Sequence, residues 1–151
     1  TTRRQRQMCI RDRYYYDPRK EKWHYANTKN NRKKMILTSS LEHMDAITII
    51  QDLDPPSISK FFPGNGGRYK KEDVNKISVY VDDSLSGIKA EETSFYLKLN
   101  ETVLYPAYQP IKKEISYNLD NQLERGSYTI NFKVKDRMEN ESSRTIYFSV
   151  Y

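Results

Sequence analysis

The chain has few of the residues on which enzymes and metal sites depend. Its 151 residues include one cysteine, one tryptophan, two histidines and five glycines. A single cysteine, Cys9, excludes a disulfide framework within the chain. The two histidines, His24 and His43, stand apart in the sequence, whereas a zinc site needs three or four convergent ligands. We therefore predict no zinc site.

Several motifs and long apolar runs are also absent from the sequence. No apolar run approaches the ~18 residues of a membrane-spanning helix, which predicts no membrane insertion. The start of the chain lacks the apolar segment of a signal peptide. There is no G-x-S-x-G nucleophile motif, and the glycine-rich loop at 64–67 lacks the Lys-Ser/Thr ending of a phosphate-binding loop. We predict that the chain has no catalytic site and no cofactor.

The formal net charge of +6 is concentrated at the start of the chain. Residues 1–13 hold five arginines against one aspartate, a net charge of +4 that leaves +2 for the remainder. A nucleic-acid-binding protein needs a basic stripe elsewhere, so we predict no nucleic-acid partner. The cluster Arg32-Lys33-Lys34 is interpreted as a solvated loop, with contact to an acidic polymer as the alternative.

Residues 1–13 differ from the remainder in pattern as well. The string from Gln5 to Arg13 resembles the translation of a sequencing adapter, a contaminant of metagenomic assemblies. It has no period of 2 or 3.6, and it ends where a run of tyrosines begins. We interpret residues 1–13 as a non-biological leader on a fragment; a genuine basic arm is the alternative.

Tyrosine and period-2 alternation are what the sequence has in quantity. Thirteen tyrosines favour strands, where the ring packs against neighbouring side chains and the hydroxyl remains in contact with water. Alternating runs separated by turn formers predict an all-β protein whose residues 57–151 form a complete seven-stranded immunoglobulin-like β-sandwich. Pro106 interrupts the fourth run and predicts an edge strand there. The seven runs are 58–62, 77–81, 95–99, 103–108, 115–119, 128–135 and 145–150.

The region before this sandwich predicts only part of a domain. Four short runs lie at 14–16, 23–26, 35–38 and 46–50, with turn formers at 17–18 and 27–31. Four short strands make half of a sandwich, so 14–52 is interpreted as the C-terminal part of a truncated β module that exposes an apolar face. Residues 53–56, which include Pro55-Pro56, predict a stiff linker.

Two strings in the second region resemble bacterial immunoglobulin-like modules. The segment from Asp82 to Ile88 is similar to the "D-x-x-S-G-I" that follows their second strand. The later residues are similar to their closing hairpin, with Glu139 standing where that family usually has glycine. The residues that carry this second likeness are Leu123, Gly126, Tyr128, Phe132, Val134, Asp136 and Asn140.

The resemblance implies a function outside the cytoplasm. Such modules occur in tandem in secreted and surface proteins, and some end lysostaphin-type zinc endopeptidases that cut peptidoglycan. The segment from Tyr16 to Trp23 resembles the module that precedes that last domain. We expect a non-enzymatic extracytoplasmic module that spaces, positions or attaches a larger bacterial protein, with a cell-wall metallopeptidase as the favoured parent. Its partners would be neighbouring domains and a cell-wall or surface polysaccharide.

Four residues of the family pattern have predicted structural roles. Tyr128, at the start of the sixth strand, predicts a tyrosine corner whose hydroxyl bonds the preceding backbone. Gly126 and Gly87 would allow positive φ angles at their turns. Leu123 belongs to the same motif.

One group of polar residues is a weak candidate for calcium. The loops after the second and sixth strands lie at the same end of an immunoglobulin-like sandwich, which would bring together Asp82, Asp83, Asp136 and Asn140. Several hard oxygens could hold calcium, but such residues more often cap their own turns.

The alternative function is carbohydrate or peptidoglycan binding by an adhesion module. It requires exposed tyrosines such as Tyr96, Tyr105 and Tyr147 to cluster on one sheet face, where they could stack on sugar rings. Cross-strand pairing explains these tyrosines equally well.

Overall fold

The computed structural model describes residues 12–31, 33–40 and 46–151, and most of them lie in β-strands. The chain divides into two compact units. One comprises the described residues up to Asp54 together with Ser84–Gly87, and the other comprises Pro55–Asp83 and Ile88–Tyr151. The division falls between Asp54 and Pro55, where two prolines without N–H groups cannot continue a strand pairing.

The first unit contains five short strands arranged in two sheets. A three-stranded antiparallel sheet has the order β2-β1-β5, and β3 pairs with β4 as a separate hairpin. Ile47 and Ile49 on β5 are each about half exposed, so this unit leaves apolar side chains uncovered. The bounds are β1 (Asp12–Asp17), β2 (Lys22–Ala26), β3 (Thr28–Asn31), β4 (Ile36–Ser39) and β5 (Ile47–Ile50).

The first unit differs from the sequence prediction at two places. The segment 27–31, predicted as a turn, contributes strand β3, because main-chain pairing with β4 needs no apolar alternation. Strand β1 begins at Asp12, so Asp12 and Arg13 of the predicted leader pair with Ile50 and Ile49. Cys9, Arg32 and His43 lie outside the described residues, as does the remainder of the predicted leader.

The second unit is an immunoglobulin-like β-sandwich, as predicted. Its two sheets have the orders β11-β12-β8-β6 and β10-β9-β13-β14-β7. These correspond to the two sheets of the immunoglobulin fold, with β8 as strand B, β13 as F and β14 as G. The strands are β6 (Ser57–Phe62), β7 (Gly67–Tyr69), β8 (Lys76–Asp82), β9 (Phe95–Leu99), β10 (Thr102–Leu104), β11 (Ala107–Gln109), β12 (Glu114–Asn118), β13 (Gly126–Lys135) and β14 (Glu141–Val150).

Period-2 alternation places one side of each long strand in the core. Strand β8 buries Ile77, Val79 and Val81 from one sheet. The facing sheet contributes alternate residues of β9, β13 and β14, and together they form one continuous hydrophobic cluster. The buried residues of those three strands are Leu97, Leu99, Ile130, Phe132, Val134, Ile146, Phe148 and Val150.

The described residues of this unit form nine strands, two more than the seven that were predicted. Three-residue strand β7 pairs in parallel with β14, and it was missed because so short a segment shows no alternation. The run 103–108 divides at Tyr105-Pro106 into β10 and β11, which belong to different sheets. Both are edge strands, which is where Pro106 was expected to place the run.

Candidate functional site

The predicted polar cluster lies at the end of the sandwich where β13 turns into β14. Oδ1 of Asp136 accepts main-chain hydrogen bonds from Met138 and Asn140, both 2.8 Å long. Its Oδ2 accepts the Asn140 side-chain amide at 2.7 Å. Ile88 forms a β-bridge with Asp136, so the loop after β8 reaches this same end, as the topology predicted. Asp136 is 1% exposed, and its hydrogen bonds cap the turn between the two strands.

The structure does not bring Asp82 into this cluster. Its carboxylate instead forms an ion pair with Lys113, with 2.7 Å between Oδ1 and Nζ. The hydrogen bond to Asp82 raises the pKa of the Lys113 ammonium above its usual value. Successive residues of an extended strand point to opposite faces, so Asp82 and Val81 cannot both face the core. The structure therefore places the carboxylate of Asp82 beside Lys113, and the calcium interpretation of the four residues stays a prediction.

Asp83 and Asp136 do lie close together. Carboxylate oxygens of the two residues are within 4.8 Å of each other. That separation is compatible with one shared cation. The oxygens of Asp136 already accept three hydrogen bonds, which a cation would have to share or displace.

The turn before β13 has the geometry of a tyrosine corner. The Tyr128 hydroxyl donates to the main-chain carbonyl of Glu124 at 2.8 Å. Leu123 is partly buried against the core. The φ angle is 158° at Gly126 and 75° at Gly87, so only Gly87 is well inside the left-handed region. These residues shape turns and contact the core.

Glu139, where the family pattern has glycine, adopts the backbone that glycine would favour. Its φ angle is 66°, in the left-handed region that side chains with a Cβ adopt at a cost. Its main-chain N–H donates to the carbonyl of Asp136 at 3.3 Å. Glu139 therefore allows the turn of the closing hairpin with a strained backbone.

Asp52 is a structural residue that the sequence analysis missed. It is 1% exposed, and Oδ2 accepts the main-chain N–H of Ser86 at 3.0 Å. Oδ1 accepts the N–H of Asp54 at 3.1 Å. The carboxylate thus holds the segment Ser84–Gly87, which contains the "S-G" of the family motif. The available signal was an aspartate three residues before a proline pair, in a segment that contains the turn former Asp54.

His24 is the one histidine within the described ranges, and it lies on the β1–β2 hairpin. Its ring stacks on Tyr15 with 5.5 Å between centroids. Nε2 is 3.9 Å from Oδ2 of Asp17. Burial raises the pKa of Asp17, but the N–H of Arg19 and the charge of Lys20 outweigh it and hold that pKa below its usual value.

Exposed aromatic residues occur on the outer face of the five-stranded sheet. Tyr96 on β9 is 38% exposed and Tyr147 on β14 is 59% exposed, while Tyr105 just after β10 is 79% exposed. Tyr96 is opposite Lys133, and Lys133 is opposite Ser143. Tyr147 therefore lies about 14 Å further along β14 than the level of Tyr96. Tyr96 and Tyr147 are therefore separate on this face, and Tyr105 lies beyond the last paired residue of β10.

Comparison with known proteins gives a fold relationship. The crystal structure of CopC from Methylosinus trichosporium OB3b is similar, with a TM-score of 0.50 and 14% sequence identity. The similar region covers 63% of this chain and 92% of CopC. No family model matches the chain, and no curated protein matches it. At this identity the likeness supports the β-sandwich fold. No helix in the described ranges is long and apolar enough to cross a membrane.

Proposed function

We propose that the second unit is a non-enzymatic extracytoplasmic module that holds neighbouring parts of a larger bacterial protein at a fixed spacing. The observation that carries this proposal is that the first and last residues of the sandwich lie at opposite ends. The carbonyl of Pro56 accepts a hydrogen bond from Ser142, near the start of β14. Val150, at the other end of β14, pairs with Gly126 and Tyr69. Val150 is eight residue steps beyond Ser142 along the strand, which is about 27 Å.

The strand that sets this spacing, β14, is held by main-chain hydrogen bonds to its neighbours. β14 is ten residues long and pairs along its length with β13. Its last three residues also pair with β7, and the N–H of Tyr151 donates to the carbonyl of Tyr69 at 3.0 Å. A strand that is hydrogen-bonded along its whole length on one side, and at its last three residues on both sides, with one face in the core, resists local opening. The buried carboxylate of Asp136 accepts a main-chain hydrogen bond from Met138 that stabilises the turn before β14.

The spacing can be measured between two nitroxide labels by electron paramagnetic resonance. A full chain carrying Cys9→Ser would be labelled at Ser57→Cys and Tyr151→Cys. We expect a narrow distance distribution centred at about 30 Å. A matched pair, Ser57→Cys with Ser143→Cys, places both labels at one end and should give a distance below about 20 Å. A broad distribution for the first pair would contradict a rigid spacer.

The parent that we propose is a cell-wall metallopeptidase whose catalytic domain precedes this chain. Its support is the likeness of the Asp82–Ile88 and Leu123–Asn140 segments to modules of lysostaphin-type enzymes. Uninterrupted genomic sequence upstream of Tyr14 tests it directly. An upstream domain with an H-x-H pair supports this parent, and its absence would overturn the parent while leaving the spacer proposal intact.

A further inference from the structure

One exposed loop of the second unit contains the only asparagine of the chain that is followed by glycine. Asn65 and Gly66 lie between β6 and β7, and both are exposed. Asparagine is a chemically labile residue, and it reacts fastest before glycine, because the next main-chain nitrogen can then reach the side-chain amide without hindrance from a Cβ. A Cβ built at Gly66 would meet no atom within 4 Å, so nothing else in the described residues packs over this position.

Two hydrogen bonds to one residue hold the reactive pair in the folded chain. The Gly66 N–H donates to the main-chain carbonyl of Tyr147 at 2.6 Å. Oδ1 of Asn65 accepts the main-chain N–H of Tyr147 at 3.0 Å. These bonds extend the parallel pairing of β7 with β14 by one residue beyond the pair of Gly67 with Phe148. The attacking nitrogen and the amide that it would attack are therefore both fixed on β14.

The loop that carries this pair is anchored by Tyr69 on β7. The Tyr69 hydroxyl accepts the N–H of Gly64 at 2.9 Å. Its ring packs edge to face with Phe62 and Phe148, at centroid distances of 5.4 and 6.2 Å. Short segments at the edge of a sheet open more readily than its centre. Release of Asn65 therefore requires local opening of this edge, and the Tyr69 hydroxyl opposes that opening.

We propose that Asn65 is a site of spontaneous deamidation, and that the pairing of β7 with β14 protects it while this edge is closed. In the open loop the Gly66 nitrogen gives its proton to hydroxide and bonds to Cγ of Asn65. The amide nitrogen takes up a proton and leaves as ammonia, so a five-membered succinimide remains. Water then opens the succinimide at either carbonyl and gives aspartate or isoaspartate. The reaction involves no oxidation or reduction, and water is the only co-reactant.

The two products have different effects on the sheet edge. Aspartate at position 65 keeps an oxygen that can accept the Tyr147 N–H, so β7 can pair with β14 again. Isoaspartate moves one carbon from the side chain into the main chain, and the longer main chain cannot keep both this contact and the register that pairs Gly67 with Phe148. The end of β14 then retains its pairing with β13 alone. Opening of the edge thus becomes permanent in the isoaspartate form.

The test follows deamidation of the full chain in mildly alkaline buffer. Peptide mapping by mass spectrometry detects the exchange of NH2 for OH, and enzymatic methylation quantifies isoaspartate. Asn65 should react more than about tenfold faster in concentrated urea than in the folded chain, because unfolding releases both reacting groups. Asn100 is the internal control. It is exposed and its Oδ1 also accepts a main-chain N–H, from Thr129 at 2.9 Å, but glutamate follows it, so it should stay unmodified in both conditions.

Tyr69→Phe tests the protection without changing the reacting pair. It removes the acceptor of the Gly64 N–H and should speed deamidation of the folded chain about three- to tenfold. Tyr147→Phe is the matched control, because it removes the hydroxyl of an exposed ring and keeps the main chain that holds Asn65. It should change the rate less than about twofold. In urea all three chains should react at the same rate, which would show that Tyr69→Phe acts on the folded state.

Three outcomes would overturn the proposal. If Asn65 stayed intact in urea, it would not be a deamidation site. Equal rates for the folded and the unfolded chain would mean that the sheet edge gives no protection. A folded-state rate for Tyr69→Phe no higher than that for Tyr147→Phe would mean that the anchored loop does not control the reaction. The proposal does not depend on the function of the module, so none of these results bears on the label distance that tests the spacer.

Discussion

The hydroxyl of Tyr128 donates a 2.8 Å hydrogen bond to the carbonyl of Glu124, four residues earlier in the chain. The ring of the same tyrosine stacks on Phe148 with 5.3 Å between centroids. One side chain therefore joins the loop before β13 to the neighbouring strand β14. This is the tyrosine corner of immunoglobulin-like domains, and it fixes the direction in which the chain enters its longest hairpin.

Replacing Tyr128 with phenylalanine should lower the free energy of unfolding by about 1 kcal/mol. Tyr128→Phe keeps the stacked ring and removes only the hydroxyl, so the carbonyl of Glu124 loses its side-chain donor. Urea denaturation followed by tyrosine circular dichroism measures the change. Tyr147→Phe is the control, because that hydroxyl is on an exposed side chain. Equal stability of the two variants would mean that the corner hydrogen bond contributes nothing.

Periodic burial explains why the sandwich was predictable from sequence. Strands such as β8 and β13 place every second side chain in the core, and the hydrophobic effect imposes that period on the sequence. Turn residues with a demanding geometry, such as Tyr128 and Gly87, also carry a local signal. Periodic burial therefore made the inward-facing residues predictable, and turn geometry made the tyrosine corner predictable.

Features that depend on main-chain pairing or distant contacts were not predictable. Strands β3 and β7 are held by main-chain hydrogen bonds, which leave no pattern of side-chain types. The carboxylate of Asp52 accepts a hydrogen bond from Ser86, thirty-four residues later, and no spacing rule connects the two. The alternation of strand faces is a rule that needs only the sequence. It would have predicted that the side chains of Asp82 and Asp83 point in different directions.

The carboxylate of Asp136 should stabilise the β13–β14 turn without a metal ion. Asp136→Ala leaves the N–H groups of Met138 and Asn140 without their acceptor and should lower the free energy of unfolding by about 3 kcal/mol. Asp136→Asn keeps one acceptor oxygen and should lose less. Thermal unfolding with EDTA and with millimolar calcium gives the comparison. If calcium raised the melting temperature of the unsubstituted chain but not of Asp136→Ala, the residue would be a ligand instead of a cap.

Glycine at position 139 should stabilise the closing hairpin. The φ angle of 66° at Glu139 carries a Cβ penalty that Glu139→Gly removes, and the gain should be about 1 kcal/mol. The exposed ion pair with Lys135, 3.4 Å long, offsets little of this. Glu139→Ala removes the same ion pair while keeping the Cβ, so it is the matched control. A gain for alanine as large as the gain for glycine would point to charge instead of backbone strain.

Asp12 should make the first unit less stable as the pH rises from about 4 to about 6. The carboxyl is 8% exposed, and desolvation raises its pKa from 3.8 to about 6. Folding therefore favours the protonated form, and its stabilising effect is complete below pH 3.8 and lost as the pH passes the folded pKa. Asp12→Asn should remove this dependence and raise the free energy of unfolding at pH 7 by roughly 1–3 kcal/mol.

The fluorescence of Trp23 can report this change, because it is the only tryptophan of the chain and lies on β2 of the first unit. Urea titrations at several pH values between 4 and 7 would follow it. Asp17→Asn is the control on the same strand. The pKa of Asp17 is lowered, so the stability it contributes is present above its unfolded pKa and is lost only at more acidic pH. A stability that stays flat from pH 4 to 7 in the unsubstituted chain would show that Asp12 is ionised at little cost in the folded state.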